Sequence, residues 1–136
     1  MNVRRLRRVQ RHILAEPATL DMNEFLCRNL DLNMPYYHDN YAINKTPSCG
    51  TVGCIAGWTV QLYRGPRSRA RLMTAGRDLG LTKDQACRLF FFKCHDDSQH
   101  WPQQFEDKYH AAKTPFARAK VTAKRIDHFI ATKGAE

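Results

Sequence analysis

The chain has 136 residues, 43% hydrophobic and 26% charged, with 22 Lys and Arg against 13 Asp and Glu for a formal charge of +9. That length suits a single domain spanning 1–136 that buries roughly two-thirds of its unfolded surface, and the apolar content excludes a chain too polar to fold. No apolar run approaches the ~20 residues of a membrane-spanning helix, and the Arg-bearing N-terminus lacks the apolar stretch of an export signal, so a cytoplasmic protein with no membrane partner is expected. The five cysteines, an odd number, fit reduced thiols better than a disulfide framework.

From Asn2 to Glu16, Val3, Leu6, Val9, Ile13 and Leu14 recur at helical spacing on one stripe, while Arg4, Arg5, Arg7, Arg8 and Arg11 share the opposite face. This predicts an amphipathic basic helix ended by Pro17, with Pro17 to Leu20 extended. Asp21 is placed to cap a short helix that turns Met22, Phe25 and Leu26 inward. The stretch 29–48, rich in Asn, Pro and Tyr, has neither helical nor strand periodicity and reads as a long ordered loop before the central helix.

Ser48 or Thr51 is placed to cap a helix from Val52 to Tyr63 that has almost no polar face, so it is expected to be the hub of the fold. Gly53 and Gly57 within it suggest a closely crossing helix. After the basic turn 64–71, Leu72, Ala75, Gly76 and Leu79 carry a helix that stops at Gly80. Thr82 to Gln85 has capping-box spacing and opens a helix whose Ala86, Leu89 and Phe90 face inward. Trp101, Phe105 and Tyr109 dock the polar, His-rich region 93–102 on the core. Thr114-Pro115 then starts a last helix with Phe116, Ala119, Ala123, Ile126, Phe129 and Ile130 on one stripe. The expected fold is all-α, a compact orthogonal bundle of about five helices with the terminal helices closing over the Val52–Tyr63 helix.

The ordered set Cys-Gly-Thr-x-x-Cys-Ile-Ala-Gly-Trp (49–58), Leu-Gly-Leu-Thr-x-x-Gln-Ala-x-x-Leu-Phe (79–90), Trp101-Pro102 and Arg125-Ile-Asp-His-Phe-Ile130 resembles a group of small uncharacterised bacterial and phage proteins. The resemblance covers most of the chain and implies a shared fold unit. It brings no catalytic role, because the group has no assigned activity.

Basic residues concentrate in two places, Arg4 to Arg11 and Arg64 to Arg77, each with five arginines and no acidic residue inside. With Lys83 and Arg88, the residues Arg4, Arg5, Arg7, Arg8, Arg11, Arg64, Arg67, Arg69 and Arg71 make the candidate surface for a nucleic acid or an acidic protein. The segment 75–89 also resembles a helix-turn-helix, with Lys83, Gln85 and Arg88 displayed on its second helix. A phage–host setting follows from the resemblance alone.

The competing reading is a cysteine-dependent hydrolase or transferase. Cys49 would stand at a helix N-terminus, where the dipole and free amides stabilise a thiolate, and Cys49-Gly50 resembles the nucleophile segment of papain-like peptidases. His100 or His38 would be the base. The region after His100 lacks the period-two strand on which those enzymes hold their histidine. Cys49 and Cys54 are not at Cys-x-x-Cys redox spacing, and neither Cys49, Cys54 and His38 nor Cys94, His95 and His100 has paired metal-ligand spacing. Asp96 and Asp97 read as surface charges. Neither a metal nor a cofactor is expected, and Cys49 and Cys54 read first as small residues of a packed core.

Overall fold

The computed structural model describes residues 1–22, 26–27, 52–65, 68, 72–92 and 101–136. Within these, the all-α architecture takes the form of six α-helices, a 3-10 turn and one pair of two-residue strands. The loop at 29–48, Ser48 and Thr51 lie outside the described residues.

Helix α1 (Val3–Ala15) starts where the Asn2 side chain accepts from the Arg5 amide, and Leu6, Val9 and Ile13 are completely buried. Val3 and Leu14, expected on the same stripe, are instead 41% and 37% exposed. They sit at the edge of the apolar arc, and the core position there is taken by Gln10, whose amide donates to the Ala123 carbonyl at 2.8 Å. Each fully buried aliphatic chain contributes about 2 kcal/mol, so the three-residue stripe outweighs any exposed ion pair on this helix.

Pro17–Thr19 forms a 3-10 turn rather than an extended segment, because the Leu20 amide returns to the Pro17 carbonyl. Leu26, expected to turn inward from a short helix capped by Asp21, lies instead in a strand, Leu26–Cys27 (β1), paired antiparallel with Val52–Gly53 (β2), and Phe25 lies outside the described residues. Gly53 is therefore strand, not helix. It bridges Leu20 as well, and its carbonyl accepts from the Asp21 amide.

The central helix α2 runs Ile55–Arg64, later than the expected start at Val52, with Cys54 as N-cap and Gly65 at φ +82° ending it. Its first seven residues, Ile55 to Gln61, are all buried. The Trp58 indole donates to the Thr19 carbonyl at 3.0 Å, fastening α2 to the 3-10 turn.

Helices α3 (Leu72–Asp78) and α4 (Lys83–Phe90) meet at Gly80, which has φ +62°. A close approach of helices occurs here, where a Cβ on Gly76 would lie 3.2 Å from that of Ala86, while of the two glycines expected at a crossing Gly53 lies in a strand and Gly57 is buried in α2. Thr82 and Gln85 form the reciprocal capping box.

Helix α5 (Gln103–Ala111) was not expected from the sequence, although Trp101, Phe105 and Tyr109 are spaced one helical turn apart. Trp101 donates to the Leu89 carbonyl at 2.8 Å, and the Tyr109 hydroxyl accepts from the Met22 amide at 3.0 Å. Helix α6 (Pro115–Ala131) is capped by Thr114. It packs on α1, α5 and the 3-10 turn, while α2 meets α1, α3, α4 and β2.

Removing the Thr82 cap in Thr82→Ala is expected to cost about 1 kcal/mol, read as a lowered urea midpoint with unchanged m-value. A second expectation concerns His12, whose ring packs 4.3 Å from the Trp58 ring and whose buried Nε2 finds no acceptor among the described residues. Burial lowers its pKa below 6.5, with Glu16 opposing in part. The unfolded chain therefore binds this proton more tightly than the folded one. The stability from neutral His12 is complete above about pH 6.5 and is lost as pH falls from there through the lowered folded-state value. Denaturation from about pH 7.5 down to about 5 should show a shallower loss in His12→Phe than in the parent.

Candidate functional site

The helical spacing of α1 places Arg4, Arg8 and Arg11 in one row on its outer face, with Arg5 and Arg7 on opposite flanks. Together Asn2, Arg4, Arg5, Arg8, Arg11 and Tyr63 line an open groove of about 380 Å³. Four arginines and no carboxylate make up its charged lining.

Tyr63, near the end of α2, organises this groove. Its hydroxyl donates to the Arg5 carbonyl at 3.1 Å, and its ring lies under two guanidinium groups, Arg5 at 4.9 Å and Arg8 at 5.4 Å from the centroid. Arg5 also donates to the Asp78 carbonyl at 2.6 Å. Arg5 and Arg8 are thus held in place. Arg4 and Arg11 stand exposed at the ends of the row, and no carboxylate among the described residues pairs with Arg4, Arg8 or Arg11.

The remaining candidates have structural partners or lie elsewhere. Arg7 pairs with Asp127 of α6 and donates to Gln10 at 2.8 Å, which separates it from the row. Arg64 grips both Asp78 oxygens, at 2.7 and 2.8 Å, so its charge is neutralised inside the molecule. Arg67, Arg69 and Arg71 lie outside the described residues.

On α4, Lys83 is exposed, but Gln85 donates to the Lys133 carbonyl at 2.8 Å and Arg88 to the Gly134 carbonyl at 3.1 Å. The Asn2 amide donates to the Leu79 carbonyl at 2.6 Å, placing the start of the chain over the α3–α4 turn. Two of the three side chains expected to read bases are therefore engaged with the C-terminal turn.

The thiol at the N-terminus of α2 is that of Cys54. Cys54 is 3% exposed, and burial pushes its pKa up to about 11 although the amides of Gly57 and Ala56 favour the thiolate. A helix N-terminus activates cysteine only where the sulfur stays partly solvated. Cys49, His38 and His100 lie outside the described residues, as do Cys94, His95, Asp96 and Asp97. Among the described residues no group of three His, Cys, Asp or Glu side chains is placed to hold a metal, and no helix is long and apolar enough to cross a membrane.

Tyr63 was missed from the sequence because it reads as the last apolar residue of the central helix; nothing local brings position 63 beside position 5. Phe116 was placed on the core stripe, yet it is 52% exposed, with the Lys120 ammonium 4.4 Å from its ring centroid. The buried thiol of Cys54 should resist iodoacetamide at neutral pH until the protein is unfolded, as read by peptide mapping; rapid labelling of the native state would show the pocket to be open. No family model, curated protein or solved structure matches the chain.

Proposed function

We propose that this protein is a non-enzymatic binding protein that engages nucleic acid through the arginine row of α1. The observation that carries the reading is the groove itself, in which Arg4, Arg5, Arg8 and Arg11 converge without a carboxylate in the lining. Solubility is served by charges of both signs spread over a surface. A same-sign row over a tyrosine concentrates positive potential in one place, where it attracts a polyanion.

The spacing also suits phosphates. At ~1.5 Å rise per residue, Arg4 and Arg11 are about 10 Å apart along the axis. The row presents three exposed guanidinium groups, Arg4, Arg8 and Arg11, enough to meet about three phosphates of a nucleic-acid backbone. Arginine is suited to the contact because its planar guanidinium donates two parallel hydrogen bonds to phosphate.

The reading is tested by fluorescence anisotropy with labelled DNA and RNA of random sequence over a salt series. With about three phosphates neutralised, log affinity should fall with log salt at a slope near −3. Arg4→Ala/Arg11→Ala, which removes exposed side chains and leaves the Tyr63 contacts intact, should flatten the slope by about 2 and weaken binding to all sequences alike. Salt-insensitive affinity, or affinity untouched by the double substitution, would refute it. Equal competition by polyglutamate would identify the partner as an acidic protein surface instead.

A further inference from the structure

The basic surface does not end at α1. Arg7 pairs with Asp127, and Gln10 reaches the Ala123 carbonyl, so α1 and α6 run side by side in opposite directions. On α6 the exposed residues Phe116, Lys120, Lys124 and Asp127 recur at steps of three and four, which places them on one outer face beside the arginine row. From Ala123 back to Phe116 is about 10 Å of helix. That brings Phe116 level with the 3-10 turn, which packs on α6, and just beyond the last arginine of the row.

Phe116 is the most exposed of the large apolar side chains among the described residues, at 52%. Its surroundings are cationic, with the Lys120 ammonium 4.4 Å from the ring centroid and Lys124 exposed one turn further on. A half-exposed aromatic ring with an ammonium over it matches the two needs of an unpaired nucleotide, a ring to stack on and a positive charge for the adjacent phosphate. A duplex offers no such face, because its bases are stacked on one another and only their edges reach the grooves.

Resting on the nucleic-acid reading above, we propose that the ligand is single-stranded, with a base stacked on Phe116 and its backbone followed by Lys120, Lys124, Arg11, Arg8 and Arg4. Phe116 supplies affinity that tolerates any base, and the cations supply the dependence on salt.

The test compares labelled oligo(dT) with a random-sequence duplex of equal length, in the full chain and in Phe116→Ala, Phe116→Trp and Arg4→Ala/Arg11→Ala. Thermal melting by circular dichroism verifies that each variant is folded. The expected result is tighter binding of oligo(dT) than of duplex at the same salt, weakened about tenfold in Phe116→Ala with the salt slope unchanged. Phe116→Trp should retain the affinity and show quenching of its indole fluorescence by the stacked base. Salt-dependent binding that is lost in Arg4→Ala/Arg11→Ala but is equal for duplex, or indifferent to Phe116→Ala, overturns the single-strand proposal and leaves the nucleic-acid reading standing. Absence of binding to both probes overturns that reading itself, and this proposal with it.

Discussion

Everything else in the molecule depends on how α1 is held. Leu6, Val9 and Ile13 are sealed from solvent, and α1 is the element that meets both α2 and α6. Directional bonds hold it as well, from the Asn2 amide at its start to Leu79 and from the Gln10 side chain at its middle to Ala123. Apolar burial sets the strength of the attachment, while these hydrogen bonds fix its register, since a buried amide without its partner would cost more than it contributes when paired. An arginine row opposite such a stripe cannot rotate away from solvent without exposing the core.

The arginines differ in role according to what stands beside them. Arg7 and Arg64 meet carboxylates, and Arg5 and Arg8 meet the Tyr63 ring. Partly exposed pairs of this kind contribute little to stability, of order 0–1 kcal/mol. Their consequence is positional: they hold Arg5, Arg7 and Arg8 against the surface of α1, while Arg4 and Arg11 stand exposed at the ends of the row.

Arg125 shows the opposite environment. Its guanidinium is wholly buried, donates to the Arg88 carbonyl at 3.1 Å, and lies 5.3 Å from the Phe129 and 6.0 Å from the Phe105 ring centroid. Burial lowers its pKa to about 10, with Glu136 opposing, so it remains a cation at neutral pH. Aromatic faces offset part of the desolvation cost. The same charge that stands exposed on α1 is here a tie between α4, α5 and α6.

The sequence by itself determined the elements that obey local rules. The Thr82–Gln85 box and the Thr114-Pro115 start are written within four residues each, and α4 and α6 follow from them, as α1 follows from its apolar stripe. Tertiary structure decided the rest. The start of α2 moved to Ile55 because Val52 and Gly53 pair with Cys27 and Leu26, distant in the chain. Helix α5 is nine residues long with a weak apolar face, and it is fixed by Trp101 and Tyr109 reaching Leu89 and Met22. The arginines were legible as a cluster, but which of them face solvent depended on Asp127, Asp78 and Tyr63, partners whose position no local periodicity encodes. Phe116 looked like core because its spacing is that of the stripe, and it is exposed because it lies at the stripe's rim, in the first turn of α6.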